Sequence, residues 1–165
     1  MVALRCTKRL LRRLRVEPPD EVEPARNALG HWYANALTIN REQFVLAISE
    51  RSLLSVVVPG APFNTLLSRV PQALAELLRN LSVPERQVGR ELTAMSPMTV
   101  AATSSRKVLG CLNQYAFELE VDFQYNPHRT LLERELWLSE NISSAIRYNH
   151  PRDLALELLA AKRSQ

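Results

Sequence analysis

A chain of 165 residues with 46% hydrophobic and 23% charged side chains has the length and composition of one globular domain. At this size roughly 70% of the unfolded chain's surface can be buried without a disulfide or metal staple. The net charge is +4, and its distribution is uneven. Residues 1–20 hold six basic and two acidic side chains, while the remaining 15 basic and 15 acidic ones cancel. The excess charge therefore lies in the first segment.

No apolar run reaches the 18 or so residues that a membrane-spanning helix needs, and basic residues interrupt the leucines of the N-terminal segment. The expectation is an intracellular, cytoplasmic protein without a membrane partner. The Arg-rich start also fits an organellar transit peptide, but its capping pattern favours a folded element. The two cysteines, Cys6 and Cys111, and the three histidines form no CxxC or HxxxH pair. No metal site or cofactor is expected, and two isolated thiols fit a reducing compartment.

The first element is a short strand over residues 2–6, followed by Thr7 as a helix N-cap. From Lys8 to Arg15 the pattern is helical. Leu10, Leu11 and Leu14 share one face, and Lys8, Arg9, Arg12, Arg13 and Arg15 take the opposite side. Pro18 and Pro19 end the helix, and an irregular connection runs to residue 29. Strand-like runs at 31–39, 43–49 and 53–58 predict an antiparallel meander. In the first run Tyr33, Asn35, Leu37 and Ile39 share one face, and Trp32, Ala34, Ala36 and Thr38 the other.

Helices dominate the remainder. Leu66, Leu67, Val70, Leu74, Leu77, Leu78 and Leu81 recur at helical spacing behind Asn64 as cap. Pro71 inside that pattern predicts a kink or two abutting helices. A shorter helix spans 84–95, and residues 99–102 read as a strand or an extended linker. Thr103 or Ser104 then caps a longer helix carrying Val108, Leu109, Leu112, Ala116 and Phe117, with two more helices near 129–138 and 151–161. The expected fold is α+β: a small antiparallel sheet of about three to four strands, covered mainly on one face by helices.

Several segments together resemble an uncharacterised bacterial family known only as a domain of unknown function. They are Arg5-Cys6-Thr7-Lys8 with its leucine-rich helix, Leu29-Gly30-His31-Trp32-Tyr33-Ala34-Asn35, Glu50-Arg51 leading into Leu53-Leu54-Ser55-Val56, and Ser105-Arg106 leading into Val108-Leu109-Gly110 with Asn113. The resemblance covers nearly the whole chain. It implies one intact domain and carries no activity, substrate or catalytic residue to transfer. Some relatives are joined to domains found on plasmids and transposons, which points towards nucleic acid. His31 and Gln114 stand where relatives often have acidic residues, which argues against acid-dependent chemistry there.

Three groups of residues are candidates for a site. The basic face of Lys8, Arg9, Arg12, Arg13 and Arg15 suits phosphates and counterion release; its plainer reading is a solvated helix face or a set of local ion pairs. Trp32, Tyr33 and Asn35 suit base stacking, although adjacent strand positions point to opposite faces and packing in the core is the simpler account. Glu50, Arg51 and Arg106 lie at element ends, where an ion pair tying a strand turn to a helix start is the plainer reading. A Cys6–His31 nucleophile is conceivable because a basic helix start lowers a thiol pKa, yet the apolar strand around Cys6 argues for burial. The expected role is non-enzymatic binding, with nucleic acid as partner through the basic helix. A protein-interaction or self-association domain is the second reading, and a small hydrolase or nuclease the third.

Overall fold

The structure is a computed structural model that describes residues 1–141, 143–147 and 149–161. Its centre is a five-stranded mixed sheet: β1 (Val2–Cys6), β2 (Trp32–Ile39), β3 (Glu42–Ser49), β4 (Ser55–Pro59) and β5 (Met98–Ala102). The strands stand in the order β4-β3-β2-β1-β5. The meander is present as β2, β3 and β4, with Trp32 opposite Ser49 and Leu46 opposite Val57. The sheet is nevertheless larger than three or four antiparallel strands. β1 adds to β2 in parallel, pairing Leu4 with Trp32, and β5 adds to β1 in parallel, pairing Arg5 with Ala101. Parallel neighbours need long crossovers, so local pattern cannot reveal that residues 2–6 and 98–102 meet.

Helices cover both faces of the sheet rather than mainly one. On the first face Val2, Leu4, Cys6, Trp32, Ala34, Val45 and Val56 pack with α1 (Lys8–Leu14), α2 (Leu66–Asn80), α3 (Glu85–Met95) and α6 (Pro151–Ala161). On the second, Tyr33, Leu37, Phe44, Leu46, Ile48 and Val57 pack with α4 (Arg106–Tyr125) and the end of α5 (Leu131–Leu138). The apolar residues on alternate sides of every strand are the physical reason: a sheet with two apolar faces must bury both. The side-chain faces of β2 are those its alternation predicts.

Local signals explain several helix ends. Thr7 accepts from the Leu10 N–H at 3.4 Å, and Ser105, one residue later than expected, accepts from the Val108 N–H at 3.2 Å. Thr130 and Glu133 form a capping box at the start of α5. Asn64 does not cap α2; it lies in a 3-10 turn, Phe63–Thr65, that leads into the helix. α2 continues unbroken through Pro71. Among the described residues no helix is long and apolar enough to cross a membrane.

Candidate nucleic-acid interface

The sequence Lys8–Leu14 folds as a short helix because Thr7 caps its start and Leu10 is fully buried. Burying one leucine contributes roughly 2 kcal/mol. Leu11 and Leu14, expected in the core, are half-buried against it. Arg15 ends the helix in the left-handed conformation, φ 56°, with its N–H donating to the Leu11 carbonyl. The opposite side is basic: Lys8, Arg9, Arg12, Arg13 and Arg15 are all exposed. Arg9 donates to Thr38 Oγ1 at 3.2 Å. None of the five forms an ion pair among the described residues.

The helix stands at a particular place in the sheet. β1 and β5 are parallel neighbours, but β1 leads into α1 on the first face and β5 into α4 on the second. In α/β sheets such a divergence opens a crevice at the carboxyl ends of the strands, where ligands bind. The register of Cys6 against Ala102 sets Thr7 beside the loop 103–105. Arg5 donates to the Ala102 carbonyl of the neighbouring strand at 2.9 Å. Its Nε is buried and has no hydrogen-bond partner among the described residues. Thr7 donates to Asn35 Oδ1 at 2.5 Å. The Tyr33 hydroxyl accepts from the Ser105 N–H at 3.1 Å and shares a second hydrogen bond with the Ser104 hydroxyl, also at 3.1 Å. Arg106 and Lys107 are exposed on the first turn of α4, whose dipole adds positive potential there.

The polar group expected from Trp32, Tyr33, Asn35, Glu50, Arg51 and Arg106 therefore does not assemble as one cluster. Tyr33 and Asn35 lie at this end of the sheet, Asn35 bonded to Thr7 and Tyr33 to Ser104 and Ser105, the residues that precede the exposed Arg106. Trp32 is buried in the first core, where no base can stack on it, and its indole nitrogen has no partner among the described residues. Glu50 and Arg51 lie at the other end of the sheet. Glu50 Oε1 accepts from the His31 N–H at 2.9 Å, and Arg51 donates to the carbonyls of Asn27 at 2.6 Å and Ala25 at 3.0 Å. No ion pair ties Glu50 or Arg51 to the start of α4 among the described residues. Both side chains instead satisfy the backbone of residues 25–31, which packs as coil and needs partners for its polar groups.

Cys6 and His31 do not form a nucleophile and base. Burial pushes the Cys6 thiol up to about 12, and Sγ donates to the Leu4 carbonyl. The His31 Nδ1 accepts from the Ala3 N–H at 3.0 Å, leaving Nε2 to donate to the Glu23 carbonyl at 2.9 Å. Both ring nitrogens are thereby used in backbone contacts. Among the described residues no three His, Cys, Asp or Glu side chains are grouped to hold a metal ion.

Two features escaped the reading of the sequence. Arg5 was legible as a cation within an otherwise apolar strand. Glu135 was legible as a carboxylate on the apolar face of α5, four residues after Leu131 and three before Leu138; it lies in a cleft along β4. Comparison with curated proteins and with solved structures gives no match. Residues 3–154 match the family model described as Domain of unknown function (DUF6933), and the chain belongs to that family.

Proposed function

We propose that this protein is a non-enzymatic, cytoplasmic binding domain that takes nucleic acid on the basic face of α1 and the adjoining crevice. One observation carries the reading: five exposed cations sit on one docked helix and none is paired with an acidic side chain among the described residues. Local ion pairing thus does not account for the face. Lys8 and Arg9 also occupy the first turn, which has no acidic residue, so they oppose the helix dipole and one another. That arrangement costs the isolated helix stability and suits a phosphate backbone lying across it. The crevice adds Arg5, Arg106 and the start of the 20-residue helix α4, a natural site for a phosphate oxygen. The free thiols of Cys6 and Cys111 agree with a reducing compartment. The two cores share one sheet, which supports residues 1–165 as one domain. The second reading, a protein-interaction or self-association surface, draws on Phe117 and Tyr125 of α4, 62% and 73% exposed.

The test is a combined Arg9, Arg12 and Arg13 to Gln variant, which keeps good helix formers on an exposed face. Its affinity for every DNA and RNA sequence tried is expected to fall. The slope of log affinity against log salt should drop by roughly one unit for each phosphate that the variant no longer neutralises. A wild-type protein that binds neither DNA nor RNA at low salt refutes the proposal and leaves the face as solvated surface.

A further inference from the structure

A second site, with no residue of the basic helix in its lining, lies along the outer edge of β4. The cleft there measures about 540 Å3 and lies between α2 and α5, within the range of about 300–1,000 Å3 typical of small-molecule sites. Part of the backbone of the edge strand and of the turn after it is already engaged. Val57 N–H donates to Glu135 Oε2 at 2.7 Å, and Arg69 donates to the carbonyls of Pro59, Gly60 and Pro62. Pro59 has no N–H to offer. An added strand has little to pair with, and the cleft is left to side-chain chemistry.

That chemistry is carboxylic, two Glu side chains above an apolar wall. Glu135 is only 3% exposed yet lines the cleft, and its second oxygen, Oε1, has no hydrogen-bond partner among the described residues. Glu76 faces the same space from α2. Burial first, and then repulsion by Glu76, push the Glu135 carboxyl up to about 8, against the opposing effect of the Val57 N–H. Arg69 is the other charged group of the cleft, and it is spent on carbonyls and Thr65. β4 brings no charge, and the neighbouring Arg134 of α5 is buried against Asp122 of α4. The apolar wall is formed by Val58, Ala73, Leu131 and Leu132. We propose that this cleft binds a small organic amine in its protonated form, the ammonium between Glu135 and Glu76 and the hydrocarbon against Leu131 and Leu132. A hard divalent cation fits less well, since it takes about six oxygen ligands or more and leaves the apolar wall uncovered.

Binding of a cation ionises Glu135, and the carboxyl proton leaves to the buffer. Cyclohexylamine and its neutral counterpart cyclohexanol are the probes, titrated calorimetrically at pH 7 in phosphate and in HEPES, whose ionisation heats differ and neither of which is a primary ammonium. Cyclohexylamine should bind with heats that differ between the two buffers, and cyclohexanol should bind roughly tenfold more weakly or worse. Glu135→Gln keeps an oxygen for the Val57 N–H; it should weaken the amine by a similar factor and abolish the buffer dependence. Glu76→Gln, on an exposed position, should weaken binding without removing proton release. The combined Arg9, Arg12 and Arg13 variant should bind the amine as the wild type does, which separates this site from the nucleic-acid surface. Equal binding of alcohol and amine, unchanged binding in both Gln variants, displacement by millimolar Mg2+ or Ca2+, or no heat at all with the wild type would each overturn the proposal.

Discussion

At the scale of single residues, buried polar groups decide what is inert and what is poised. Glu91 is buried in α3, where it accepts from Asn27 Nδ2 and from the N–H groups of Ala28 and Leu29, and so anchors the coil before β2. Gly30 follows at φ 80°, and a Cβ there would meet Glu50 Oε1 at 2.6 Å; that turn demands glycine on both counts. Asp122 and Arg134, each with a side chain 1% exposed, pair at 2.6 Å and join α4 to α5. Removing Asp122 strands the buried Arg134 charge, whereas removing Arg134 leaves Asp122 paired with Arg129. The two thiols differ in the same way. Cys6 is buried with its pKa raised to about 12, whereas Cys111 is half-exposed and raised by burial to a smaller extent, with Lys107 opposing. A thiol reagent at pH 8 should therefore label Cys111 in the native protein and reach Cys6 only on denaturation. Labelling of both at one rate, followed by mass spectrometry, would contradict the burial of β1.

At the scale of elements, α1 is the test of how a marginal helix is held. Seven residues are too few to be stable alone, and five like charges weaken it further. Docking of Leu10 and the cap by Thr7 offset both. Thr7→Ala removes the cap and the hydrogen bond to Asn35, so it should cost about 1 kcal/mol, read as a lower urea midpoint with an unchanged m-value. Loss of nucleic-acid affinity in the same variant would follow from fraying of the basic face. β4 shows the complementary problem of an exposed strand edge. It is covered by α5, capped by Glu135 at Val57 and by Arg69 at Pro59, and ended by a proline.

At the scale of the whole molecule, stability should carry the signature of Glu135. Its carboxyl is raised to about 8 in the folded protein and lies near 4.3 when unfolded. Between those values the folded state holds a proton that the unfolded state has lost, so stability falls as pH rises and levels off above the folded value. The slope is at most about 1.4 kcal/mol per pH unit. Urea titrations from pH 5 to 9 should show this decline in the wild type and a flatter profile in Glu135→Gln. The α+β class, the capped basic helix, the meander and the facing of β2 were legible because each rests on local chemistry: a 3.6-residue or two-residue period, a capping hydroxyl, a proline stop. The parallel partners of β1 were not, since strands brought together over 28 or 96 positions (Leu4 with Trp32 or Val100) leave no periodic trace in either segment. For the same reason the sequence grouped Trp32, Glu50 and Arg51 with Tyr33, Asn35 and Arg106, although strand direction sends them to opposite ends or into the core. The chain's own pattern determined the two faces of β2 and which helix is basic. Only tertiary pairing decided that Arg5, Thr7, Asn35 and Tyr33 share a crevice and that Glu135 meets Glu76, because such contacts depend on which strands become neighbours.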